Sequence, residues 1–240
     1  MTATAAASRP AGTRMVATTR RVRTDDVLEH LDASGGAFLG DDVQIATGGV
    51  CAFVDPADAG AVLRSIEHDR PRGAAHPAIG PIAIGALQFS GGGDLVIPAS
   101  IAVRTGGVTW LTTIDPCTVA ARPTARIERH ARRFVVEAGQ DLDQWDAMVT
   151  AGLALVGGRS LRKVVLAREV TVEADAPFVL PSVLERLRAS QPACFVYADR
   201  GFVGATPELL VRRRGTEVTS RPMAGTVPRD ALDRKSTRLN

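Results

Sequence analysis

Lysine is rare in this chain, which uses arginine for almost all of its positive charge. Of the 29 basic residues 27 are arginine, leaving only Lys163 and Lys235. Arginine keeps its proton inside a protein, whereas a lysine among apolar neighbours can lose it and act as a base. Lys163 opens such a setting in Lys163-Val164-Val165-Leu166-Ala167-Arg168. A complementary carboxylate follows in Gly204-Ala205-Thr206-Pro207-Glu208-Leu209-Leu210. There Pro207, Leu209 and Leu210 supply the apolar surroundings that raise a carboxyl pKa and make Glu208 an acid near neutrality. A third segment, Arg221-Pro222-Met223-Ala224-Gly225-Thr226-Val227-Pro228-Arg229, carries a glycine turn whose backbone can approach an anion closely. An amine base, a carboxylic acid and an anion-accepting turn suit acid/base chemistry on a small molecule.

Other chemistries fall away. His30, His68, His76 and His130 are isolated, and the chain holds no HExxH, no His/Cys cluster and no GxSxG elbow. Gly91-Gly92-Gly93-Asp94 reads as a turn, because no helix start and no Lys-Ser/Thr pair follow it. The net charge of +3 is small and scattered, so no nucleic-acid partner is expected. No apolar run reaches the roughly 18 residues that span a bilayer, so no membrane partner is expected either. Cys51, Cys117 and Cys194 are odd in number, widely spaced and without a CxxC pair. That argues against a disulfide framework and for a reducing, cytoplasmic setting.

The elements that must position these residues follow from the pattern. Residues 1–24 hold no carboxylate and read as a disordered leader. Residues 25–120 form a sheet-rich part. Its short apolar runs are parted by hairpin signals at Asp41-Asp42, Gly48-Gly49 and the 91–94 turn, and a last run follows Gly106-Gly107. Strands are expected over 82–89, 95–103 and 108–114. Asp55-Pro56 starts a helix reaching about His68, with Val62, Leu63 and Ile66 inward. The span 115–133 reads as a boundary, and its Arg126, Arg129, Arg132 and Arg133 as a solvated face. Residues 121–233 make a second part. Asp141 begins a helix stopped by Gly157-Gly158, with Trp145 in the core. A strand over Lys163–Val172, buried on both faces, comes next. A short helix over 181–189, a strand over 193–198 and a hairpin around Gly215 complete the part. The abrupt change after Asp233 marks 234–240 as a non-native tail.

Taken together, the Lys163–Arg168, Gly204–Leu209 and Pro222–Arg229 segments resemble the chorismate-utilising enzymes, and within them the isochorismate synthases. Gly85-Ala86-Leu87-Gln88-Phe89, followed by Ile97-Pro98, fits the same pattern, and the resemblance covers roughly residues 80–230. It implies an α/β (α+β) fold with large antiparallel sheets inside and helices outside, here incomplete at the C-terminus and showing exposed apolar surface. It implies an isomerase acting on chorismate, cytoplasmic and monomeric, in menaquinone or siderophore synthesis. Lys163 would activate a water, Glu208 would protonate the departing hydroxyl, and Ala224, Gly225 and Thr226 would line the substrate pocket. Mg²⁺ would be the cofactor, held by two glutamates beyond the Ala-Gly-Thr turn, so no metal ligand is assigned within the chain. The ammonia-using members do not carry this lysine. Salicylate-forming relatives share it and stay open as an alternative, as do an aminating enzyme and an inactive chorismate-binding fragment.

Overall fold

The computed structural model describes residues 14–117 and 131–223. The first of these segments contains β1 (Val16–Val22), β2 (Gly36–Leu39), β3 (Gln44–Gly48), β4 (Ala52–Val54), α1 (Pro56–Ser65), β5 (Glu67–Asp69), β6 (Leu95–Ile97), β7 (Ser100–Thr105) and β8 (Val108–Asp115). The second contains β9 (Phe134–Ala138), α2 (Leu142–Gly157), β10 (Val170–Ala174), α3 (Leu180–Ser190), β11 (Phe195–Asp199), β12 (Phe202–Thr206), β13 (Leu209–Arg214) and β14 (Glu217–Arg221). They fall into two compact units, the first discontinuous in sequence (residues 1–123 with 183–240) and the second continuous (residues 124–182).

In the first unit an eight-stranded sheet runs in the order β12-β11-β2-β3-β7-β8-β1-β5. Its pairings are antiparallel except the short parallel contact of β1 with β5. Turn chemistry sets several registers. Gly106 and Gly107 both take positive φ, as a two-residue hairpin needs, and join β7 to β8 with Thr105 opposite Val108. The Asp41-Asp42 signal joins β2 to β3 as expected. Gly48-Gly49 does not make a hairpin, because β4 leaves this sheet and pairs with β6.

The core lies on one face of β1, β7 and β8, where Ala17, Ile101, Val103 and Ile114 meet Val54, Ala59, Ile66, Ile79 and Ile97. Asp55 caps α1 by accepting from the Ala57 N–H at 2.7 Å, with Pro56 behind it. The helix ends at Ser65, three residues short of the expected end. Glu67–Asp69 pairs with β1 instead, and edge pairing wins over another helical turn. Val62 and Leu63 pack against the core as expected. The strand expected over 82–89 reduces to one bridge, Ile84 with Val96. Pro98 divides the run 95–103 into β6 and β7.

Cys51 and Cys117 are joined, with Cα atoms 5.2 Å apart, which corrects the expectation of no disulfide. Spacing along the chain misled because both ends border one segment. The Cys51 N–H donates to Ile97 O, and Ile114, three residues before Cys117, donates to Ala99 O. The spacing argument for a reducing compartment therefore no longer holds for this pair.

The second unit pairs β9 with β10 and contains α2, which Asp141 and Gln144 start with a reciprocal capping box. Phe134 stacks on Phe178. Two corrections belong here. Trp145 is half-buried, and Gly152 is the one buried residue of α2. The strand expected to begin at Lys163 begins at Val170, because its partner β9 is only five residues long and pairing ends at Ala138 with Val170. The expected exposed apolar surface is present. Leu142 and Leu153 on α2 are 70% and 68% exposed, and Val165 is 78% exposed. The arginines at 126 and 129 and the span 118–130 lie outside the described residues, as do residues 1–13 and 224–240.

One polar contact closes the edge of the first unit's core. Thr19 and Thr112, opposite each other on β1 and β8, share a 2.7 Å hydrogen bond, and Thr19 also contacts His68 Nε2 at 2.7 Å. Burial holds the His68 pKa below its ordinary value of 6.5, helped by Arg70 and opposed by Asp69. The unfolded chain therefore takes up the proton first as pH falls. Stability is fully present above the ordinary value and is lost as pH drops through it towards the folded pKa. Denaturant midpoints at pH 7.5 and 5.5 should differ in the parent and differ less in His68→Gln. The gap should not close, since His76 is lowered too, chiefly by burial. An unchanged gap would assign the titration to other groups.

Candidate functional site

A cavity of about 620 Å³ opens on the first unit, over the face of β3, β2, β11 and β12 and beneath the segment 82–87. Strand register builds its floor. Ile45 on β3 lies opposite Phe38 on β2, Phe38 opposite Tyr197 on β11, and Tyr197 opposite Gly204 on β12. Phe38 stacks on Phe195 and Tyr197 tilts against Phe202, both pairs with ring centroids 5.7 Å apart. Four of the chain's ten aromatic side chains thus line one cavity, which gives it flat apolar walls. Asp199, Thr206 and Glu208 supply its polar groups.

Two of the segments singled out in the sequence meet here. Gly85-Ala86-Leu87 forms one wall, and Thr206 and Glu208 form the rim opposite. Pro207 ends β12, and the Thr206 hydroxyl accepts from the Glu208 N–H at 3.1 Å, which fixes the bend. One Glu208 carboxylate oxygen accepts from the Met223 N–H at 3.3 Å. The burial expected around Glu208 is absent among the described residues: Glu208 is exposed and Leu210 is 84% exposed.

Lys163 belongs to the second unit. It precedes β10 in a stretch outside any helix or strand and is exposed, so the apolar shielding expected from Val164 and Val165 is also absent. The structure therefore places Glu208 in the cavity of one unit and Lys163 in the other unit. Ala224, Gly225 and Thr226 lie outside the described residues. Among the described residues no three His, Cys, Asp or Glu side chains converge as a metal site. None of the described helices is long and apolar enough to cross a membrane.

Sequence reasoning missed Phe38, Phe195, Tyr197, Asp199 and Phe202. The only tyrosine in the chain, seven residues before Gly204, was the available signal for Tyr197.

Residues 109–240 match the family model described as chorismate binding enzyme, more than half of the chain. The chain belongs to the chorismate binding enzyme family. Within that family it is 26% identical over 196 residues to isochorismate synthase MenF of Bacillus subtilis, covering 68% of this chain and 42% of that protein. It is 24% identical over 235 residues to isochorismate synthase DhbC of the same organism, covering 88% of this chain and 55% of that one. The solved structure of DhbC from Bacillus anthracis superposes with a TM-score of 0.63 at 22% identity, over 88% of this chain and 55% of that chain. This likeness shows the fold, the mixed α/β architecture with a large antiparallel sheet. The chorismate binding enzyme chain described here spans about half the length of these relatives.

The cavity explains one residue of the family-like segment. A Cβ at Gly204 would overlap the ring and hydroxyl of Tyr197. Gly204→Ala should therefore destabilise the protein by about 1–3 kcal/mol, the range for overpacking. In a Tyr197→Ala background the same change should cost little, as read from denaturant midpoints in a double-mutant cycle. Equal costs in both backgrounds would show that the tyrosine ring is not what excludes a side chain at 204.

Proposed function

We propose that the complete protein is an isochorismate synthase, an isomerase that converts chorismate to isochorismate. The observation that carries this reading is the ordered set of three segments opening at Lys163, Gly204 and Pro222, all inside the span matched by the family. The relatives named isochorismate synthases support it.

In this mechanism the Lys163 amine takes a proton from water as the water oxygen bonds to a ring carbon. The ring double bonds shift, the carbon–oxygen bond to the original hydroxyl breaks, and Glu208 gives that oxygen its proton. One water enters and one leaves, so the net reaction is an isomerisation. Glu208 must hold a proton beforehand, and a bound dianionic substrate favours this, because like charge disfavours the ionised carboxylate. Lys163 must be neutral beforehand, which needs desolvation or a neighbouring cation. The aromatic floor and the 85–87 wall would lie against one face of the ring. Mg²⁺ is proposed as the cofactor of the complete protein, held by glutamates that the resemblance places after the Ala224-Gly225-Thr226 turn.

In the full-length protein with Mg²⁺, Lys163→Ala and Glu208→Gln should each lower turnover by about 10²–10⁴-fold, the usual contribution of a general base or acid. Turnover in heavy-oxygen water should place one solvent oxygen in the new hydroxyl of each product molecule. Near-normal rates in Lys163→Ala would remove it from the mechanism, and product without solvent oxygen would remove the attacking water.

A further inference from the structure

We infer that Asp199 is a positioning residue whose carboxylate docks the Gly85-Ala86-Leu87 wall onto the end of β11, and so shapes the cavity that Glu208 borders. Asp199 is only 8% exposed, although it carries a carboxylate. A charge so placed is costly unless hydrogen bonds and an opposite charge satisfy it. Its Oδ2 accepts from the Ala86 N–H at 3.0 Å and from Arg200 Nη2 at 3.1 Å, and its Oδ1 accepts from Arg200 Nε at 3.3 Å. The same Arg200 Nη2 donates to Asp94 O at 3.3 Å. The β11–β12 turn therefore holds the 86–94 loop at both ends, at Ala86 through Asp199 and at Asp94 through Arg200.

Apolar packing does not do this work. Leu87 is 53% exposed and Phe89 is fully exposed. The other backbone bonds inside the loop, Gln88 N–H to Gly92 O and Gly91 N–H to Gln88 O, only close its own tip. Arg200 also adopts φ +46, a conformation that non-glycine residues rarely take, at the residue whose side chain completes the clamp. The effect on substrate rests on the isochorismate synthase reading, whereas the docking of the loop does not.

Site-resolved amide exchange on the full-length protein tests the docking, and chorismate kinetics test its consequence. Asp199→Ala should speed exchange of the 86–94 amides by about tenfold, the loss expected when a charged hydrogen-bond acceptor is removed. Amides of 100–115 should be unchanged. KM for chorismate should rise by about tenfold, with kcat within about twofold of the parent. Asp199→Asn keeps an acceptor for Ala86 but loses the ion pair. It should leave Ala86 near parental exchange and speed Asp94 and its neighbours. Parental exchange throughout 86–94 in Asp199→Ala would overturn the inference. Faster exchange with an unmoved KM would uphold the docking and count instead against this cavity as the chorismate site. If 100–115 also loses protection in Asp199→Ala, the asparagine variant decides: selective change near Asp94 supports the clamp, and uniform change overturns it.

Discussion

The antiparallel pairing of β11 with β2 is the contact on which the first unit depends. Val196 lies opposite Leu39, Tyr197 opposite Phe38, Ala198 opposite Ala37 and Asp199 opposite Gly36. These partners are more than 150 residues apart, so the pairing brings the family-like segment back to a sheet begun near the start of the chain. A slip of one residue would turn Phe195 and Tyr197 to the other face and bring Val196 and Ala198 forward. Since Val196 and Ala198 are buried at 0% and 2% exposure, packing on both faces opposes such a slip.

From this register the cavity follows without further devices. A row of side chains crosses four strands, from Ile45 through Phe38 and Tyr197 to Gly204, and the last position has no side chain because the tyrosine ring occupies its space. The glycine of a motif usually invites a conformational reading, yet Gly204 is not among the glycines with positive φ. Here the reason is room. Thr206 and Pro207 then bend the chain so that Glu208 ends on the rim.

What the sequence made legible was local. Asp41-Asp42 marked the β2–β3 hairpin, Asp55-Pro56 and Asp141 marked helix starts, and Gly215 marked the β13–β14 turn. Each is decided by neighbours a few residues away. What it hid was long-range. The Cys51–Cys117 pair needs 66 residues to fold back, and the 82–89 run keeps only the Ile84–Val96 bridge, on the edge of β6 that β4 leaves open. The cavity's aromatic floor also escaped notice, since Phe38 and Phe195 become neighbours only through strand pairing. Asp199-Arg200-Gly201 makes the β11–β12 turn, but the side-chain clamp built on it has no local signature.

Lys163 shows the limit of reading burial from apolar sequence. Val164, Val165 and Leu166 suggested a strand covered on both faces, yet hydrophobicity alone does not make a strand. Backbone groups must also pair. β9 satisfies β10 and then ends, with Gly139 N–H donating to Glu169 O as the last rung, and no described residue continues the ladder back to Lys163. Lys163–Arg168 is therefore apolar at Val164–Ala167 and outside the ladder at once, a combination that edge strands avoid because it invites pairing with any strand at hand. A base at Lys163 requires desolvation or a neighbouring cation. A strand laid alongside 163–169 would satisfy the backbone, and a layer packed on the face that carries Lys163 would supply the desolvation, so pairing and burial are two separate needs of this stretch.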